Sequence, residues 1–203
     1  ENDVEFFFLR PRDIAIYVGE AALDLGITGR DMLLDSGAQA SEMLPLGFAP
    51  STFRFAAPSG SRLTITDLNG LRIATSYAGL LEAWLVEHSI TARVVKLDGA
   101  VENAIALGVA DAIADVVATG STLKKAGLEI LGDPILVSEA LVVRRTGAET
   151  NPAIETFMRR LNGVMVARSY VLVDYENVHC LMTDALTLRH SRTCAKALKS
   201  GSP

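Results

Sequence analysis

The stretch Leu71–Asp115, LRIATSYAGLLEAWLVEHSITARVVKLDGAVENAIALGVADAIAD, alternates short apolar runs with segments of helical spacing. Leu71–Thr75 reads as a strand, Gly79–His88 as a helix, Ala92–Leu97 as a strand, Ala100–Leu107 as a helix and Ala112–Ala114 as a further strand. Strands that alternate with helices imply parallel pairing in an α/β sheet. Toward the C-terminus, Thr119–Lys125 begins a helix, Ile130–Val137 and Ala140–Arg144 are extended and apolar, Asn151–Leu161 has helical spacing, and Tyr170–Tyr175 reads as a final strand. Toward the N-terminus, the aromatic run Val4–Leu9 (VEFFFL) predicts a buried strand. Pro11 suits the first turn of a helix, where its missing N–H is unneeded, and the apolar residues of Asp13–Val18 carry that helix to Gly19. Asp24–Thr28 is a brief strand, and Gly29, Arg30 and Asp31 open another helix that stops near Gly37.

With 203 residues, 49% hydrophobic and 21% charged, the chain has ample material for a buried core, as one domain or as two lobes. A net charge of -5 without a cluster of Lys and Arg gives a nucleic-acid partner no electrostatic support, so the expected partner is small. No apolar run approaches the roughly 18 residues needed to cross a bilayer, and no charged-then-apolar leader precedes the first strand. The expected location is therefore the cytoplasm, with no membrane partner, although a start at Glu1 rather than Met leaves room for a missing segment. Cys180 and Cys194 lack the ligand spacing of a zinc site and form no disulfide framework. The stretches Leu23–Thr28 and Val109–Ala114 echo each other, each with an aspartate just before a short apolar strand; two similar lobes would explain this, and so would the common grammar of βα units.

The densest chemical signal is Asp115–Leu123, DVVATGSTL, which follows a strand and leads into a helix. At a helix start several N–H groups lack intrahelical partners and the dipole favours negative charge, so a phosphate can bind there. Thr119, Ser121 and Thr122 add hydroxyl donors, and Gly120 permits positive φ or close approach of the ligand. Asp115 is an acceptor when ionised, so its natural partners are hydroxyl groups such as the pair on a ribose. The hydroxyl cluster alone also fits an ordinary strand-to-helix turn with a Ser or Thr cap; Asp115 and the upstream Glu102 favour a sugar phosphate.

The set Glu102, Gly108, Asp111, Asp115 and Thr119–Leu123 resembles the signature of ATP phosphoribosyltransferases, the enzymes that open histidine biosynthesis. The resemblance runs from Val4 to about Tyr175 and includes Phe8–Ile14, Gly26–Asp31, Leu97–Glu102 and Gly108–Asp115. It implies an α/β fold of two lobes like the type II periplasmic binding proteins, with mixed β-sheets flanked by helices. It also implies transfer of the phosphoribosyl group of phosphoribosyl pyrophosphate to N1 of ATP with release of pyrophosphate, in the presence of Mg2+. Carried over by residue, Asp115, Thr119, Gly120, Ser121, Thr122 and Leu123 are expected to hold the ribose and its 5-phosphate. Arg10 and Arg12 are expected at the cleft, where Arg bonds pyrophosphate oxygens bidentately, and Arg30, Asp31, Tyr77 and Glu102 are further substrate-binding candidates. No general base and no metal ligand is assigned.

The expected lobe I comprises residues 1–51 and 146–175, and lobe II residues 52–145; the segment around Ser51–Ala57 is expected to cross between them. Family members carry a strand and a lysine-glycine loop before the match at Val4, and this chain lacks both, so its activity is in question. Residues 176–203 read as an atypical, disordered tail with a charge of +2, against -7 for the first 175 residues, which hold fifteen basic and twenty-two acidic side chains. The family assembles as dimers that build hexamers, so a homo-oligomer is expected; its longer members add a histidine-binding regulatory domain and its shorter ones a regulatory subunit. The competing function is a non-catalytic solute- or sugar-phosphate-binding protein of the same bilobed fold.

Overall fold

The computed structural model describes residues 4–149 and 151–169. The chain divides into two compact units, Glu1–Arg159 and Arg160–Pro203. Both sheets belong to the first unit, and the described part of the second is the end of a helix.

Helix α1 (Pro11–Gly19) starts with proline in its first turn and turns buried Ala15 and Val18 inward. Strand β1 (Gly26–Gly29) leads into α2 (Arg30–Ser36), which ends at Gly37 in the left-handed conformation. After β2 (Ala40–Pro45) come β3 (Ser51–Pro58), a short 3-10 turn (Ile65–Leu68), β4 (Arg72–Thr75), α3 (Ala78–Glu87), β5 (Arg93–Lys96), α4 (Asn103–Ala106), β6 (Ala112–Val117), α5 (Ser121–Lys125), β7 (Leu128–Ser138), β8 (Ala140–Arg145) and α6 (Pro152–Ser169).

Two sheets result. The smaller has the order β1-β8-β2 with antiparallel pairs, and α1 and α2 supply its core of Ala15, Val18, Leu33, Leu141 and Val143. The larger has the order β5-β4-β6-β3-β7. In it β4 pairs parallel with β5 and β6, whereas β3 pairs antiparallel with β6 and β7. This sheet is covered on both faces, as alternation along its strands requires. Phe53, Phe55 and Ile73 join Leu81 and Leu85 of α3 in one layer. Ala56, Ala74 and Ile113 face the other way, against Val101, Ala104 and Leu123.

Four sequence expectations differ from what is observed. Val4–Leu9 is not a strand: no described strand pairs with it, and Phe6, Phe7 and Phe8 are 69%, 57% and 99% exposed. Aromatic content favours a strand only where a neighbouring backbone takes up its hydrogen bonds. Strand β8, within the residues 52–145 assigned to lobe II, hydrogen-bonds to β1 and β2 in the other sheet. Its buried run Leu141, Val142 and Val143 suits either sheet, and only the pairing decides. Ser51–Pro58 is the strand next to last in the larger sheet, and the crossing between sheets lies just before it. That crossing runs beside the second one, at Glu139: Leu46 N–H donates to Ala140 C=O at 2.9 Å and Ala140 N–H to Phe48 C=O at 3.0 Å. The helix expected over Ala100–Leu107 shortens to α4, because Gly99 and Ala100 both adopt positive φ ahead of it. Tyr170–Tyr175 and the tail fall outside the described residues.

Candidate functional site

The site is built where β4 and β6, parallel neighbours, end in turns that lead to α3 and α5. Strand β6 extends to Val117, so Asp115 stands on a strand rather than in the turn after it. It lies on the face shared by Ile113, above the layer that holds Val101 and Leu123. The carboxylate is half-buried, and Asp115 Oδ1 accepts from Val116 N–H at 2.8 Å. Burial pushes its pKa up, and the negative charge of Glu102 pushes the same way, against that hydrogen bond. The register sets Arg54 directly opposite Asp115. The Arg54 guanidinium turns elsewhere, donating to Thr52 Oγ1 at 3.1 Å and to Gly132 C=O at 3.4 Å.

Beyond Val117 the chain turns through Gly120, at φ 71°, into α5. This is the left-handed region, which a residue with Cβ enters at a cost. The N-cap residue of α5, Gly120, has no side chain to cap it, and Thr119 Oγ1 accepts Ser121 N–H only at 3.5 Å. Thr119 and Ser121 place their hydroxyl oxygens 3.1 Å apart, exposed, and Thr122 is exposed beside them, while Leu123 turns inward to the core. Hydroxyl groups therefore stand at the surface while Leu123 anchors the turn in the core.

Tyr77 precedes α3 at the end of β4 and packs against Phe53 with ring centroids 5.5 Å apart. Burial and the charges of Asp31 and Asp115 push its phenol far above the ordinary range, with Arg12 acting in the opposite direction. Tyr77, Asp31, Asp115 and Arg12 are thus electrostatic neighbours although they span more than a hundred positions of sequence. Arg12, at the start of α1, donates from Nη1 to Asp35 Oδ2 at 2.7 Å and from Nη2 to Ser76 C=O at 2.8 Å. Its guanidinium carbon sits 5.2 Å from the centre of the Tyr77 ring, within cation–π range. Arg10, the residue before α1, is exposed and contributes its C=O to Asp13 N–H at 2.9 Å.

Arg30 and Asp31 are engaged at the crossing between the sheets. Arg30 forms a two-pronged pair with Glu42 at 3.1 and 2.9 Å and donates to Val137 C=O at 3.1 Å. That pair, with Glu139 nearby, raises the Arg30 pKa and lowers that of Glu42. Asp31 is buried; its Oδ1 accepts from Ser138 Oγ at 2.8 Å, and Ser138 Oγ in turn accepts from Asp31 N–H at 3.1 Å. Asp35, Ser76, Ser138 and Arg54 were not singled out by sequence. Three of them are small or acidic side chains whose partners lie 23 to 107 positions away, a distance over which local spacing carries no signal.

Among the described residues no group of three or more His, Cys, Asp or Glu side chains is placed to hold a metal. The negative charge of Glu102 acts on Asp115, so two carboxylates bear on this region. That suits a Mg2+ ion delivered with a phosphorylated substrate, since Mg2+ usually takes one or two protein carboxylates and completes its shell with phosphate oxygens and water. No helix among the described residues is long and apolar enough to cross a membrane.

Fold and site define the class of protein first. Two sheets, joined by two adjacent crossings with charged and hydroxyl groups gathered between them, are the type II periplasmic-binding-protein architecture. An arginine-transport periplasmic binding protein from Legionella pneumophila matches it with a TM-score of 0.53 at 14% identity over 78% of this chain and 72% of its own. The ATP phosphoribosyl transferase (HisG:HisZ) complex from Thermotoga maritima matches with a TM-score of 0.71 at 28% identity, over 79% of each chain. The family model for ATP phosphoribosyltransferase matches residues 10–163, and the chain belongs to that family. It is 60% identical over 193 residues to the ATP phosphoribosyltransferase of Paenarthrobacter aurescens, covering 93% of this chain and 68% of that protein. Against the relative from Arthrobacter sp. it is 62% identical over 181 residues, covering 87% of this chain and 63% of the relative. The chain thus spans about two thirds of the length of these curated relatives.

Proposed function

We propose that this chain carries phosphoribosyl transfer from phosphoribosyl pyrophosphate to N1 of ATP, the first step of histidine biosynthesis. The observation that supports it best is the pairing of a half-buried carboxylate, Asp115, with the exposed hydroxyls and weakly capped first turn of α5 behind left-handed Gly120. A carboxylate held with a raised pKa and no cation on it gains most from ligand hydroxyls, and the two hydroxyls of a ribose fit that need. Thr119, Gly120, Ser121, Thr122 and Leu123 then receive the 5-phosphate through backbone N–H groups and hydroxyls.

In the reaction the N1 lone pair of adenine forms the bond to ribose C1 while the bond from C1 to pyrophosphate breaks, and its electron pair leaves on pyrophosphate. Such a leaving group asks mainly for positioning and for neutralisation of charge. Glu102 and Asp115 would hold Mg2+ together with the substrate, and the ion would supply that neutralisation. Arg12, beside Tyr77, and the exposed Arg10 would grip the pyrophosphate, as Arg does bidentately. Tyr77 stays a neutral phenol and so acts as a hydrogen-bond donor or a stacking surface rather than as a base. Arg30 and Asp31 act here by fixing the crossing between the sheets beside the nucleotide. Lobe I with residues 1–51 and 146–175 and lobe II with residues 52–145 remain the proposed division, with β8 moved from the second to the first. Cytoplasmic location and assembly into dimers and hexamers are the family's habits and are proposed for this chain on that ground.

A thermal-unfolding titration with Mg2+ and phosphoribosyl pyrophosphate tests the reading, because a ligand that binds only the native state raises the transition temperature with concentration. The expected result is a rise for the chain and none for Asp115→Ala. An unmoved transition in a cooperatively folded chain would rule the reading out.

A further inference from the structure

Among the described residues, one side chain of α2 hydrogen-bonds across to α3. Asp35, on α2, is 8% exposed and uses both carboxylate oxygens across the gap between the layers. Oδ2 takes Arg12 Nη1 at 2.7 Å, and Oδ1 accepts Leu80 N–H at 3.2 Å, in the first turn of α3. Helix α3 needs such a partner: its own N-cap residue, Tyr77, makes no side-chain cap hydrogen bond. First-turn N–H groups left unmatched are costly, and a carboxylate there also meets the positive end of the helix dipole. The cap therefore comes from another helix, on the far side of the crossing. Arg12 doubles the tie, since its Nη2 reaches Ser76 C=O at 2.8 Å, one residue before Tyr77. The backbones are close as well: a Cβ added at Gly79 would stand 2.5 Å from the Asp35 carbonyl oxygen.

We infer that Asp35 is a positioning residue, a latch that sets the spacing between the α1–α2 layer and α3 and holds the Arg12 guanidinium beside Tyr77 for an incoming pyrophosphate group. It acts through Arg12 and through α3, without touching substrate. The spacing claim stands on geometry alone, whereas the ligand claim rests on the proposed function.

The test has two arms, each using Asp35→Ala and the gentler Asp35→Asn, whose amide oxygen can still accept Leu80 N–H. In the first, spin labels are placed at Tyr17→Cys on α1 and Val86→Cys on α3, which are 44% and 80% exposed. Cys180 and Cys194 are replaced by serine, and the label-to-label distance distribution is measured without ligand. The wild-type background is expected to give one narrow distribution, Asp35→Ala a broader one extending to longer distances, and Asp35→Asn a result between them. An Asp35→Ala distribution that superposes on the wild type overturns the latch.

In the second arm the affinity for Mg2+ and phosphoribosyl pyrophosphate is compared in a double-mutant cycle. Asp35→Asn alone and Arg12→Gln alone are each expected to weaken binding about tenfold, and the double variant no further than Arg12→Gln. Losses that simply multiply would show that Asp35 does not work through Arg12 and overturn the positioning role. If the wild type binds no phosphoribosyl pyrophosphate, the proposed function falls, and the label distances decide the latch by themselves.

Discussion

Gly79→Ala isolates the contact between α2 and α3 with a single methyl group. The added Cβ would lie 2.5 Å from the Asp35 carbonyl oxygen and 3.4 Å from its carbonyl carbon, and both atoms are backbone, so no side chain can swing away. Ordinary contact is about 3.4–4 Å, so the helices must part by roughly an ångström at this point. Overpacking of this kind costs about 1–3 kcal/mol. Alanine is the better helix former by up to about 1 kcal/mol, less in a first turn. The net loss is then about 1–2 kcal/mol, a fall of roughly 2–8 °C in transition temperature for a chain of this size. Parting the helices also lengthens the bond from Leu80 N–H to Asp35, so Gly79→Ala and Asp35→Ala should lose less together than the sum of their separate losses. Urea unfolding followed by circular dichroism and by Trp84 fluorescence measures both quantities. A Gly79→Ala variant as stable as the wild type, or one strictly additive with Asp35→Ala, would refute the close-contact reasoning.

Other consequences follow from the same geometry. Asp115 has a raised pKa, so the stability it contributes is present at acid pH and lost as pH rises through its folded value. Asp115→Asn should therefore unfold at a higher temperature than the wild type at neutral pH, with the gap closing toward pH 3; a lower transition temperature at neutral pH would oppose this. Asp111 is held down to about 2 by Arg72, which pairs with it at 2.7 Å, so its contribution is full above the usual carboxylate range and fades as pH falls through about 2. Both partners are more than a third exposed, so salt should shrink that effect, and an acid-unfolding curve for Asp111→Asn that shows no difference from the wild type would contradict it. Phe55 is fully buried in an edge-on contact with Trp84, ring centroids 5.0 Å apart, and Phe55→Ala should cost about 3–5 kcal/mol in urea unfolding. A loss under about 1 kcal/mol would mean that the core closes over the gap.

The parts of this fold that were legible in sequence are those with a strong local period. Helices α1, α2 and α3 and strands β4, β5 and β6 stand within a few residues of where apolar spacing, Pro11 and Gly37 put them. Strand β2 escaped because all six of its positions are partly or fully exposed and its sequence, ASEMLP, shows no apolar alternation. The run of phenylalanines at 6 to 8 misled for the opposite reason, since composition reports appetite for burial and says nothing of whether a partner strand is at hand. At the candidate site, Asp115 and the turn to α5 were visible because strand, glycine and hydroxyls are contiguous. Asp35 was not, because a lone acid on a helix looks the same in sequence whether it faces water or caps a helix forty-five residues away.

The central claim is that Asp115 and the turn after it serve phosphoribosyl transfer. It is tested most directly by following pyrophosphate release from phosphoribosyl pyrophosphate with Mg2+, with and without ATP. The account predicts release that requires ATP and that drops by about a hundredfold or more in Asp115→Ala, while the variant still unfolds cooperatively. Release that is absent from a folded, ligand-binding wild-type chain, or that is undiminished in Asp115→Ala, would contradict it.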